Sequence, residues 1–186
     1  MATTLETERL LLRPLAPDDL GSLVGLHAEI SFWQYPLRRG QTSAETEAFF
    51  GRVLADYENS HVGLEAVIDR QSGALAGWAG LSVPAFLPEV LPAVEVGWRL
   101  GLAWRGHGYA TEAGAAWVRW GFEHLGLQQI LSIYEPANRS SGRVMEKLGF
   151  ELDRTAIVPS SGVEVHVTSL TLNRWTHLRS HSTWPM

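Results

Sequence analysis

The chain has 186 residues, 45% hydrophobic and 19% charged, the composition of a globular domain long enough to bury its own core. It contains no cysteine, which excludes a disulfide framework, a thiolate metal site and a thiol nucleophile. The net charge is −5 with arginines scattered rather than clustered, no segment approaches the roughly 18 apolar residues of a membrane span, and the N-terminus lacks a basic-then-apolar signal. We therefore expect a cytoplasmic protein without a nucleic-acid or membrane partner.

Arg9 to Leu15 reads as a short strand closed by Pro14, and Pro17-Asp18-Asp19 opens a helix continued by Leu20, Leu23, Val24 and Leu26. Ser31 to Pro36 is an aromatic-rich loop, after which Thr42 or Ser43 caps a second helix. Leu64 to Ile68 and Ala74 to Val83 form a hairpin around the Asp69-Arg70-Gln71-Ser72-Gly73 turn. A proline-containing loop, residues 84–92, leads to a strand from Val94 to Leu100, with Gly97 offering a bulge site. Arg105-Gly106-His107-Gly108-Tyr109-Ala110 then turns into a helix ending near His124. A strand over 129–134, a helix over 138–148 and a hairpin over 150–158 and 163–172 follow. Residues 177–186 show no clear period and are assigned as a tail to a single domain over 1–176. The expected fold is α/β of the α+β type: one domain with a mixed, mostly antiparallel twisted sheet of about seven strands flanked by about four helices.

The sharpest chemical feature is the glycine-rich strand-to-helix turn at 105–111. Helix starts leave N–H groups without partners and carry partial positive charge, so small residues there favour a phosphate or pyrophosphate. The turn is neither a P-loop, which needs Gly-Lys-Ser/Thr, nor a dinucleotide fingerprint, since Thr111 stands where a third small residue is required. Tight packing at a turn is the plain alternative.

Arg105-Gly106-His107-Gly108-Tyr109-Ala110 resembles the Gln/Arg-x-x-Gly-x-Gly/Ala motif of the GCN5-related N-acetyltransferases. Other segments resemble the same family in order: Glu95 to Leu100, Tyr109 to Ala113, Phe122 to Leu127, and Asn138 to Phe150. The opening Thr7 to Pro14 is similar to the branch containing the ribosomal-protein N-terminal acetyltransferases, and the likeness runs from about residue 7 to 173.

The resemblance implies acetyl-CoA as cosubstrate, no metal, and an amine acceptor. It also implies residue roles. Main chain at Trp98, Arg99 and Leu100 would follow the pantetheine arm, and Arg105, Gly106, His107, Gly108, Tyr109, Ala110 and Thr111 would cradle the pyrophosphate. Asn138 would hold the pantetheine, though Asn at a helix start is equally an N-cap. Arg139 and Arg143 could reach the adenosine 3′-phosphate, with a plain surface arginine as the default alternative. Glu95 is the candidate base, with a solvated strand carboxylate as the alternative. Many relatives carry a tyrosine seven residues after the asparagine as proton donor; here that position is Met145, which cannot donate a proton. Ser141 is the candidate substitute, with a first-turn hydroxyl as the alternative. Trp33 and Tyr35 would wall the acceptor site, unless they are core. His177 and His181 lack further ligands, so no metal site is read from them. A non-catalytic acyl-CoA-binding sensor and an enzyme using another acyl-CoA donor are the competing readings, and a homodimer is compatible with the family.

Overall fold

A computed structural model describes residues 3–59, 62–181 and 184–185. The elements are β1 (Leu5–Glu6), β2 (Leu10–Arg13), α1 (Leu20–Ala28) behind a 3-10 turn at Pro17–Asp19, α2 (Ser43–Asn59), β3 (Leu64–Asp69), β4 (Leu75–Ser82), β5 (Glu95–Leu100), α3 (Tyr109–Glu123), β6 (Gln129–Tyr134), α4 (Arg139–Lys147), β7 (Glu151–Ile157), β8 (Glu164–Thr171) and α5 (Leu172–Ser180). The eight strands form one mixed sheet in the order β1-β2-β3-β4-β5-β6-β8-β7. β5 and β6 are parallel, matched at Glu95↔Leu131. The β1–β2, β2–β3, β3–β4, β6–β8 and β7–β8 ladders are antiparallel.

The chain divides into two compact units, one of Met1–Gly80 with Trp98–Ala113, the other of Leu81–Gly97 with Gly114–Met186. In the first, α2 starts with a reciprocal cap: the Glu45 amide donates to the Thr42 hydroxyl, and the Thr42 amide donates to the Glu45 carboxylate. The α2 side chains Phe49, Phe50 and Val53 are buried with Leu15, Leu23, Phe32, Trp33, Ala66, Ile68 and Trp78. β3 is buried on both faces, which is why its sequence does not alternate. In the second unit, Leu131, Val165, Val167 and Ala156 form a core with Leu87 and Val158.

Two elements differ from the sequence expectation. β1 has only two residues, too short to leave a periodic signal. The segment from Leu172 is α5, so a helix runs through the point where a tail is expected to begin. The Thr171 hydroxyl accepts from the Arg174 amide as its cap, and Trp175 is buried against Phe122, with ring centroids 4.9 Å apart. Trp184 is buried edge-on to Trp175. One buried tryptophan in a nine-residue helix is a weak pattern, and the flanking His, Arg and Ser residues mask it.

Candidate functional site

In the first unit, the glycine-rich turn follows a 3-10 turn at Leu102–Trp104. Gly106 (φ 79°) and Gly108 (φ 85°) are left-handed, a conformation glycine adopts without a side-chain penalty, and they reverse the chain just before α3. Among the described residues, no backbone carbonyl accepts from the N–H groups of residues 106–111; the first bond of the helix is Glu112 N–H to Gly108 C=O. Residues 105–108 are exposed. The result is an open array of donors at the positive end of a 15-residue helix.

This array is braced from behind. The Arg9 guanidinium donates to His107 O at 2.8 Å and pairs with the Glu112 carboxylate at 2.6 Å. The Thr7 hydroxyl and the Arg9 amide donate to the same carboxylate at 2.6 and 2.8 Å. Burial pushes Glu112 upward, but these donors outweigh it and hold the carboxyl below its ordinary range. The Tyr109 hydroxyl donates to Asp69 at 2.6 Å, and Asp69 in turn caps the β3–β4 turn through the amide and hydroxyl of Ser72. The Arg9 guanidinium also lies over the Tyr109 ring, 4.8 Å from its centroid. The opening Thr7-Glu8-Arg9 segment is thus the scaffold of the turn. Its sequence marks the resemblance, but nothing in it discloses that Arg9, Asp69 and Glu112 converge there.

Arg105 is not free at the mouth of the turn. Its Nε donates to Leu100 O at 3.0 Å and its Nη2 to Ser31 O at 2.7 Å. Arg99 is more deeply committed. Its Nη1 donates to the carbonyls of Phe32 and Tyr35 at 2.6 and 2.7 Å, and its guanidinium lies 4.3 Å from the Trp33 ring centroid. Burial lowers its pKa to about 10, so it stays cationic at neutral pH. Two arginines therefore pin the 31–36 loop through its backbone. Trp33, expected as an acceptor wall, is buried in the core, and its ring face is taken by Arg99. Tyr35 is half-buried, and its carbonyl serves Arg99.

In the second unit, Glu95 is half-buried on β5, with the Ser82 hydroxyl 3.4 Å away. Loss of water pushes its carboxyl up to about 8, outweighing the opposing hydrogen bond from Ser82. The Ser132 hydroxyl donates to Val96 O at 2.9 Å. A Cβ on Gly97 would meet no atom within 4 Å, so the backbone of β5 stands open there. Asn138 caps α4 by accepting from the Ser141 amide at 3.3 Å, and its side-chain oxygen also accepts from the Ser140 hydroxyl. Ser141 is half-buried in the first turn, and Arg143 is exposed. Met145 is buried, its sulfur accepting from the Thr168 hydroxyl, itself bonded to Ser132 O. The Tyr134 ring lies against Gly142, and its hydroxyl is 3.2 Å from His166 Nδ1.

The structure thus joins residues 105–111 to Arg99, Trp33 and Tyr35 in one unit, and Asn138 to Ser141 in the other. The rings of His177 on α5 and His181 at its C-cap lie 4.3 Å apart, tilted to one another. Among the described residues no group of three or more His, Asp or Glu converges to hold a metal, and no helix is long and apolar enough to cross a membrane.

Residues 9–151 match the family model described as an acetyltransferase (GNAT) domain. A Bacillus subtilis protein, YkkB, is 28% identical over 156 residues, spanning 82% of this chain and 88% of its own. An acetyltransferase from Agrobacterium tumefaciens superposes with a TM-score of 0.75 at 30% identity, covering 90% of this chain and 94% of that one. The ribosomal-protein-S5-alanine acetyltransferase of Vibrio fischeri shares the fold, with a TM-score of 0.71 at 19% identity over 93% of this chain and 98% of its own.

Proposed function

The chain belongs to the acetyltransferase (GNAT) domain family, and on that footing we propose that it moves an acetyl group from acetyl-CoA to a primary amine of a small molecule or a protein N-terminus. The observation that carries the reading is the open row of N–H groups at residues 106–111, made accessible by Gly106 and Gly108 and held rigid by Arg9 and Asp69. A pyrophosphate fits such a row in charge and in hydrogen-bond demand.

Transfer from a thioester to an amine requires a neutral amine, donors for the oxyanion and a proton for the leaving thiolate. Main chain at Trp98 to Leu100 lines the pantetheine arm and offers an N–H to the thioester carbonyl. Asn138 holds the arm through its amide, and Arg143, exposed on α4, pairs with the 3′-phosphate. Glu95 takes the proton of the attacking amine; a carboxyl that ionises near 8 is matched to that task. The Ser141 hydroxyl hydrogen-bonds the departing sulfur. Arg105 contributes its backbone to the turn, since its guanidinium serves Leu100 and Ser31.

The relatives include a ribosomal-protein-S5-alanine acetyltransferase, so hexapeptides beginning with Ala or Ser, with spermidine alongside, are the first acceptors to try. Transfer of labelled acetyl to any of them, lowered at least tenfold by Ser141→Ala, supports the assignment. A second reading, a non-catalytic acyl-CoA-binding module, is favoured by one observation: Met145 fills the proton donor's place and is buried. Turnover with any amine eliminates it, and comparison of acetyl-CoA with succinyl-CoA identifies the acyl group.

A further inference from the structure

Acetyl transfer needs a proton donor that Met145 cannot be, and Ser141 is a poor one. A thiol ionises near pH 8.5 and a tyrosine near 10, whereas a serine hydroxyl does not titrate in the accessible range, so proton transfer to a thiolate is best matched by a phenol. Tyr134, at the C-terminal end of β6, places such a phenol against the first turn of α4. A Cβ on Gly142 would sit 3.1 Å from the Tyr134 hydroxyl oxygen and 3.2 Å from Cζ, so the ring occupies the space that glycine leaves. That turn is the one carrying Asn138 and Ser141. Across the β6–β8 ladder, Tyr134 pairs with His166, whose Nδ1 is 3.2 Å from the phenol oxygen and whose ring meets the tyrosine edge-on at 5.3 Å.

Resting on the acetyltransferase reading above, we propose that Tyr134 is the proton donor to the leaving thiolate, with His166 as the residue that positions and recharges it. The C–S bond breaks with its electron pair on sulfur, and the Tyr134 O–H proton passes to that sulfur, releasing the free thiol. The phenolate takes the Nδ1 proton of His166 as the ring's Nε2 takes one from solvent, so the imidazole stays neutral, and solvent exchange returns it to the Nδ1–H tautomer. The proton shed by the attacking amine goes to Glu95 and then to water, so thioester and amine become amide and thiol with no charge left over. With its hydrogen on Nδ1, His166 donates to the phenol oxygen and leaves the phenol O–H free to point at sulfur. Among the described residues, His166 on β8 and Glu146 on α4 are titratable groups that face Tyr134. Burial first, and Glu146 second, raise the phenol's pKa, which keeps it protonated at working pH.

The test uses the full chain with acetyl-CoA and the fastest of three acceptors, the Ala- and Ser-initiated hexapeptides and spermidine. Tyr134→Phe keeps the ring and removes the hydroxyl. The expected result is a fall in kcat of at least tenfold, with unchanged Tm and an unchanged thermal shift on adding CoA. Gly142→Ala, which displaces the ring, is expected to reproduce the loss, and His166→Gln to give a smaller one with an altered pH profile. Wild-type kcat in Tyr134→Phe overturns the proposal while leaving the acetyltransferase reading intact. A wild type that binds CoA but acetylates none of the three acceptors overturns the proton-donor role and favours the binding-module reading. A wild type that shows no shift with CoA removes both.

Discussion

Replacing Glu95 with glutamine tests in one variant the burial and the chemistry assigned to β5. The carboxyl ionises near 8 in the folded chain against 4.5 when free, a difference of about 3.5 units. At ~1.36 kcal/mol per unit this is roughly 5 kcal/mol, an upper bound for a half-buried group. Because the folded pKa is the higher one, the unfolded chain releases this proton first. Stability attributable to Glu95 is therefore full below pH 4.5 and declines as pH rises to about 8. Glutamine does not ionise, so the stability of Glu95→Gln relative to wild type should climb by several kcal/mol between pH 5 and 9. Urea denaturation at both pH values measures it. The same variant should lose about 100-fold or more in kcat and the rise of kcat/KM through pH 8. Parallel stability curves for the two proteins would refute the burial, and an unchanged pH–rate profile would refute the base.

His27 offers the opposite sign. Its ring is fully buried among Phe32, Trp33 and Phe49, with Nδ1 bonded to Gln41, and burial lowers its pKa from 6.5 to about 4. Stability is full above pH 6.5 and is lost as pH falls toward 4, by up to ~3 kcal/mol for 2.5 units, and denaturation of His27→Leu beside wild type should lack this component. Arg9→Met removes the brace on His107 O and Glu112; since Arg9 is itself 43% exposed, the Tm should move little, while CoA affinity measured by titration should weaken about tenfold. Unchanged affinity would show that the turn does not depend on its scaffold.

The order of strands and helices from Arg9 to Leu148 is legible because each segment carries a local signal: proline and acids at the start of α1, a cap before α2, glycines before α3, asparagine before α4. α5 and β1 are not, because their signals are one buried tryptophan and two residues. The glycine-rich turn and the Asn138 cap are visible for the same local reason, backbone conformation and capping. What is invisible depends on residues far apart in sequence. Arg9 meets Glu112 across 103 positions and Arg99 meets Phe32 across 67, and no spacing rule predicts either. For Trp33 the sequence leaves an acceptor wall and a core position both open, and its packing against Phe49 and Trp78 shows where the ring sits. Tyr134 stays unnoticed because its setting is made by a glycine eight residues later and a histidine on another strand.

A thermal-shift titration of the whole chain with acetyl-CoA, CoA and ATP tests the central claim most directly. A ligand bound only by the folded state stabilises it by about 2.7 kcal/mol at one hundred times its Kd, or roughly 5–10 °C in Tm for a chain of this size. The account predicts a rise of that order with acetyl-CoA and with CoA, and none with ATP. No rise with either CoA species, or an equal rise with ATP, would contradict it.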